Sequence, residues 1–212
     1  MVIKQSQNSL DEIERVTLSH YEANAASFWL GTRDHDVSQN IGAFLNALPK
    51  DRALDILDFG CGPGRDLLTF KQLGHRPTGL DGSQAFCDMA RQHSGCPVLR
   101  QQFSSLALDK GVFDGIFANA SLFHVPSQEL HRVLTTCRGA LRAGGILFTS
   151  NPRGNGEGWQ GDRYGHYQEF DQSKASLEQA GFTVLDHYYR PEGKPRDQQP
   201  WLAIVSRVRP ER

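Results

Sequence analysis

Long apolar runs are missing from this chain. No stretch of its 212 residues approaches the roughly 20 apolar residues needed to span a bilayer, so no membrane association is expected. The polar first residues lack the apolar segment of a secretory signal, which points to a cytoplasmic protein. Cysteine is scarce. Cys61, Cys87, Cys96 and Cys137 show neither C-x-x-C spacing nor a paired histidine pattern, and so carry no zinc or disulfide signal. The eight histidines are scattered, and no metal site is expected. Charge of one sign is absent as well: 23 Lys and Arg against 24 Asp and Glu give a net charge of −1, with no basic field for nucleic acid. What is present, 38% hydrophobic and 22% charged residues, suits one globular domain with a substantial core.

Glycine is plentiful, and its most informative use is Ile56-Leu57-Asp58-Phe59-Gly60-Cys61-Gly62-Pro63-Gly64-Arg65. The apolar residues from Leu54 to Phe59 suit a parallel strand covered on both faces, and the glycines allow a sharp turn that a ligand can approach without Cβ interference. Asp66, Leu67, Leu68, Phe70 and Leu73 then place an apolar stripe on a helix of about three turns, ended by Gly74. Strand, glycine turn and helix make the first half of a βαβ unit, where open α/β sheets bind ligands outside the carboxyl ends of their strands.

The glycine spacing bears on which ligand. A dinucleotide fingerprint G-x-G-x-x-G needs its third glycine at position 65, where Arg65 stands, and a phosphate-binding P-loop needs a Gly-Lys-Ser/Thr that is not there. The run Asp58-Phe59-Gly60-Cys61-Gly62-Pro63-Gly64 instead resembles motif I of the class I S-adenosylmethionine (SAM)-dependent methyltransferases. The resemblance implies that Gly60, Cys61, Gly62 and Gly64 pass under the methionine part of the cofactor, with Asp58 near its ammonium end. For Cys61 the role of a small, tightly packed residue is the favoured alternative.

Pro77 to Asp81 reads as the next strand and ends in an acid 21 residues beyond Gly60. A carboxylate there suits a ribose diol, because it can accept from both hydroxyls; Asp81-Gly82-Ser83 could alternatively be a turn that caps the following helix. After a third short strand at 97–101, the family pattern places an acid that receives the adenine amino group. Here Gln102 stands in its place, able to accept through its carbonyl while Phe103 packs on the ring. The fourth strand, Val112 to Ala120, resembles motif IV, which implies that Asn119, Ala120, Ser121 and Leu122 line the sulfonium side. His124 just beyond could be a base, having an unperturbed pKa near 6.5, or could be structural.

Ser127 is expected to cap a helix with the stripe Leu130, Val133, Leu134, Cys137 and Leu141, and Leu141 to Gly145 resembles the family's Gly-Gly turn into strand five. Asp171 is expected to cap a last helix ending at Gly181, followed by strands at 182–189 and 201–208. In the family such a pair forms an antiparallel edge hairpin that a dinucleotide fold lacks. Asn151-Pro152 is misplaced and incomplete as a DNA methyltransferase signature.

Two segments lie outside this core. Residues 1–8 are expected to fray; an amphipathic segment (Ile13, Val16, Leu18, Tyr21, Ala25, Phe28, Trp29) and a helix from Asp36 to Leu48 follow. Residues 1–50 are therefore expected to form a helical cap over the cofactor end, as part of the same domain as the core at 51–212. Tyr21, Trp29, Arg33 and His35 are its candidates for reaching the site. The glycine-rich segment 152–167 is expected to be a substrate lid, with Arg163, Tyr164, His166 and Tyr167 facing the acceptor. The expected fold is α/β: a doubly wound, mostly parallel seven-stranded sheet with an antiparallel C-terminal hairpin. The expected activity is methyl transfer from SAM to O, N or S of a small molecule, giving S-adenosylhomocysteine, with Tyr21, His124, Tyr164 and His166 as catalytic candidates. An NAD-dependent oxidoreductase and a non-catalytic SAM-binding regulator are the alternatives. A monomer or homodimer is expected.

Overall fold

A computed structural model describes residues 6–210, and the expected fraying of residues 1–5 lies outside the described residues. Helices α1 (Gln7–Ala23), α2 (Ala25–Thr32) and α3 (Ser38–Asn46) precede strand β1 (Asp55–Phe59). There follow α4 (Arg65–Gln72), β2 (Arg76–Asp81), α5 (Gln84–Ser94), β3 (Val98–Arg100) and β4 (Phe113–Asn119). The remainder is α6 (Ser127–Ala140), β5 (Leu141–Pro152), β6 (Gly156–Gln160), β7 (Arg163–Tyr167), α7 (Phe170–Gln179), β8 (Phe182–Arg190) and β9 (Trp201–Val208).

Seven strands form one sheet in the order β3-β2-β1-β4-β5-β9-β8. The five strands from β3 to β5 are parallel, and β9 runs antiparallel to both β5 and β8. In register, Leu57 lies between Thr78 and Ile116. Chain order reverses at β1, whose neighbours β2 and β4 leave it on opposite sides, and a cleft opens at such a switch point.

Alternation along the central strands fills both faces. Leu57, Phe59, Ile116 and Ala118 face α6 and α7 in one core, while Ile56 and Phe117 face the other with Phe148. That second core corrects an expectation: α3 lies on the sheet rather than in a cap. Its Phe44 is fully buried against Phe70, Phe117 and Phe148, and Gly115 provides the room, since a Cβ there would come within 2.5 Å of the Phe44 ring. A helix stripe of Ile41, Phe44 and Leu48 finds its apolar partner on the open sheet face.

Smaller differences have local causes. Chain residues 13–29 break at Asn24 into α1 and α2, and α1 starts at Gln7 with Ser6 as its cap. Helix α4 is eight residues, a little over two turns rather than three. Pro126, not Ser127, precedes α6, because the Ser127 amide and hydroxyl are both taken by the Glu157 carboxylate at 2.9 and 2.7 Å. Glu169, not Asp171, caps α7, in a reciprocal pair with Gln172. Segment 152–167, expected as a glycine-rich loop, is largely an antiparallel hairpin in which β6 and β7 pair through their backbones.

Candidate functional site

The glycine loop after β1 is held by its own backbone. Gly60 and Cys61 donate to the Leu80 carbonyl at 2.8 and 2.9 Å, and Gly62 donates to Asp81 Oδ2 at 3.0 Å. Gly60, Gly62 and Gly64 all sit at positive φ. Two have steric reasons besides: a Cβ on Gly60 would run into Ser121, and one on Gly64 would lie 2.8 Å from Ala90 Cα. Gly64 thus performs the close helix packing for which a dinucleotide loop uses a glycine one residue later. Cys61 is buried with Leu67, Cys87 and Val98, and burial pushes its thiol well above the usual range.

Two acids flank the loop. Asp81 Oδ1 accepts from the Ser83 amide at 2.9 Å, so both oxygens are anchored by backbone donors. Burial nevertheless raises its pKa to about 6, against those amides. Asp58 is 2% exposed, and its Oδ2 has no hydrogen-bond partner among the described residues. Burial first, and the negative charge of Asp66 second, push its pKa well up. A buried carboxylate oxygen without a donor is costly, and an ammonium group placed there would both neutralise and satisfy it.

At the end of β4, Ala120 has φ 64°, the one non-glycine residue with positive φ among the described residues. Such a conformation is sparsely populated and marks a constrained turn. It is held by the Ala120 amide donating to Ser150 at 2.7 Å and by the Ser121 hydroxyl donating to Phe59 at 2.5 Å. Just before it, Asn119 donates to Asp66 Oδ2 at 3.2 Å and accepts from Asn40 of α3 at 3.0 Å, while Tyr188 donates to Asn40 at 2.8 Å. Asp66 is closed off by a bidentate Arg65, whose third nitrogen reaches the Thr32 carbonyl at 2.9 Å.

These elements enclose a cavity of about 640 Å³ lined by Gly60, Cys61, Gly62, Asp81, Gly82, Gln102, Phe103, Asn119, Ala120 and Ser121, all sequence candidates. Gln102 is exposed, and Phe103 lies flat on Phe59 at 4.8 Å, so one of its faces is already occupied. Helix α1 spans the opening: Glu22 accepts from the Ser83 hydroxyl and the Ala85 amide, Glu14 accepts from Ser104, and Leu18 fills the space over Gly82.

Of the further candidates, Tyr21, Trp29, His35, His124 and Arg163 line this cavity. Arg33 does not: it is a solvent-facing residue paired with Asp34. Tyr164, His166, Tyr167 and Leu122 do not line it either, which corrects their expected placement, and the buried Asp58 and Gly64 are not among its lining residues. Side chains alternate along β7, so Arg163 faces the cavity while Tyr164 is buried against Trp159 and His166 lines a separate crevice beside α7. The tyrosine contributes through its backbone instead. His124 Nδ1 donates to the Tyr164 carbonyl at 2.6 Å, and the Tyr21 hydroxyl lies 2.8 Å from Nε2. Burial lowers the His124 pKa to about 4, so the ring is neutral at pH 7. Sequence reading missed Asn40, Glu14 and Glu22; the first signals itself only as a polar residue inside an apolar helical stripe.

Among the described residues no group of His, Cys, Asp and Glu could hold a metal, and no helix is long and apolar enough to cross a membrane. The fold is that of the class I SAM-dependent methyltransferases, whose seven-stranded Rossmann-like sheet this chain carries. A methyltransferase domain family matches residues 56–145. Over 115 residues the chain is 34% identical to trans-aconitate 2-methyltransferase of Delftia acidovorans, covering 51% of this chain and 41% of that one. Ubiquinone biosynthesis O-methyltransferase of Coxiella burnetii is 32% identical over 100 residues, covering 45% and 42%. The matches thus span less than half of these curated relatives. In fold, the chain superposes on Burkholderia thailandensis 1,6-didemethyltoxoflavin-N1-methyltransferase, solved with that compound and S-adenosylhomocysteine, with a TM-score of 0.77 at 21% identity, covering 99% and 93%.

Proposed function

We propose that this protein transfers a methyl group from SAM to a small-molecule acceptor. The observation that carries the reading is the buried, donor-less oxygen of Asp58 beneath a glycine loop whose far side presents Asp81. Asp58 would hold the ammonium group, the loop glycines the methionine chain, Asp81 the ribose hydroxyls, and Gln102 the adenine amine. When bound, SAM supplies an electrophilic methyl group on a sulfonium. The protein's share is orientation: alignment of two reactants is worth roughly 7–11 kcal/mol in well-ordered systems. Helices α1 and α2 would cover the nucleoside, with Glu14 and Glu22 tying α1 to the loops after β3 and β2. The β6–β7 hairpin would close the acceptor side, Arg163 being its inward residue.

The relatives' names span oxygen and nitrogen acceptors, so small-molecule methylation is the level at which they support the reading. Parallel calorimetric titration with SAM, S-adenosylhomocysteine and NADH tests it. Micromolar binding of the first two without NADH is the expected result; NADH binding alone would replace the reading with an oxidoreductase.

A further inference from the structure

Once the cofactor's residues are assigned, one cluster in the cavity is left over: Tyr21 from α1, His124 beyond β4 and Arg163 from β7. A carbonyl can only accept, so the bond from Nδ1 to Tyr164 fixes the proton on Nδ1 and leaves Nε2 bare. The Tyr21 hydroxyl therefore donates to Nε2. Its single proton committed, the phenol oxygen can only accept from anything else, and the positive charge of Arg163, which lines the same cavity, acts on it. Asp81 and Tyr167 are the other titratable groups acting on Tyr21; Arg163 and His20 act on His124. The walls are flat rings: Phe28 and Phe86 lie 5.6 and 5.7 Å from the Tyr21 ring, and Phe123 lies 3.9 Å from His124.

Building on the methyltransferase reading, we propose that this cluster is the acceptor subsite and takes a planar, acidic hydroxyl compound of phenol or enol type, with Tyr21 receiving its proton while passing its own to His124. The acceptor's O–H bonding pair stays on oxygen. Its proton goes to Tyr21 Oη, and the proton Tyr21 held goes to Nε2, making an imidazolium that still donates from Nδ1 to Tyr164. The acceptor oxygen uses its pair to bond the methyl carbon, while the pair of the broken carbon–sulfur bond stays on sulfur. A cationic amine would be repelled by Arg163, and a carboxylate acceptor would have no proton to give. Burial first, and the charge of Arg163 after it, oppose an imidazolium in the ligand-free site, and an acceptor oxygen that gains negative charge beside Arg163 offsets the second. Tyr21 is the catalytic residue of this pair, and His124 is a positioning residue that acts through it.

The test uses the full chain, S-adenosylhomocysteine and 4-nitrocatechol, a phenol whose absorbance reports its ionisation. Homocysteine-nucleoside affinity is measured first; its absence would remove the methyltransferase reading itself. In the resulting complex, 4-nitrocatechol is expected to bind as its anion at a pH where the free probe is mostly neutral. Tyr21→Phe and Arg163→Met should each weaken probe binding about 10-fold or more, with S-adenosylhomocysteine affinity retained. His124→Asn should move the ionisation midpoint of the bound probe back toward that of the free probe. With labelled SAM, methyl transfer to the probe should fall about 100-fold in Tyr21→Phe. Binding of the neutral probe, no saturable binding to the wild-type complex, an unmoved midpoint in His124→Asn, or equal losses of probe and S-adenosylhomocysteine affinity would each overturn the proposal.

Discussion

The two ends of the central sheet treat the same residue type in opposite ways. At the amino end, Asp114 is surrounded by partners: Arg52 donates at 2.7 and 2.9 Å, the Asp55 amide donates at 2.9 Å, and Arg142 forms an ion pair at 2.9 Å. Asp55 in turn pairs with Arg76 and Arg142 at 2.7 and 2.9 Å. Although burial opposes it, these partners hold the Asp114 carboxyl well below the usual range. At the carboxyl end, Asp58 and Asp81 are pushed up by burial, and one Asp58 oxygen has no partner. A charge fully paired within the chain holds the fold together. A buried carboxyl that no cation of the chain offsets, at a cost to folding, marks a place for a ligand's charge or hydroxyls.

The sharpest way to break that comparison is to exchange the consequences. Asp81→Ala should weaken S-adenosylhomocysteine binding by at least about 100-fold, because it removes two charge-assisted hydrogen bonds of roughly 1.5–3 kcal/mol each. Calorimetry would show it, and unchanged affinity would sink the ribose assignment. Asp114→Ala should do the reverse. It removes a buried hydrogen-bond acceptor and leaves two partly exposed, solvent-screened arginines, costing about 1–2 kcal/mol and lowering the melting temperature by roughly 2–8 °C for a chain of this size. Ligand affinity of the folded variant should stay as it was; a lost affinity with intact stability would invert the two ends.

Acidity separates the ends as well. Asp81 has a folded pKa of about 6, above its ordinary 3.8, so its ionisation costs the ligand-free fold stability as pH rises between those values. Its carboxylate form is the one that accepts from the ribose, so affinity should fall as pH drops through about 6, approaching tenfold per unit. Asp114 has the opposite sign. Its stabilising contribution is complete above its ordinary 3.8 and is lost only as pH falls further through its depressed folded value. A titration in which affinity stayed flat from pH 7 to 5 would contradict the ionised role of Asp81. The smallest effect is expected from Tyr188→Phe, which removes one hydrogen bond from the Asn40–Asn119–Asp66 chain behind the site. About 1 kcal/mol of stability should be lost, with a several-fold drop in affinity through a loosened Asn119. Thermal unfolding alongside calorimetry would separate the two contributions.

Local pattern determined much of this protein. The run from Leu54 to Gly64 could only be a buried strand turning on glycines, and positive φ at Gly60, Gly62 and Gly64 bears on the same positions. Asp81 at the end of the next strand, the order of the strands and the closing pair at 182–190 and 201–208 were likewise legible, because strand alternation and turn chemistry act between near neighbours. Tertiary structure alone decided the rest. Tyr21 meets His124 across 103 residues, and Asn40 meets Asn119 across 79. No periodicity records such meetings. The sequence reading also put α3 in a cap rather than on the sheet, and turned both alternating sets of β7 toward the acceptor where one faces the cavity. Both depended on where a whole apolar face found its partner, and that is settled only when distant elements pack.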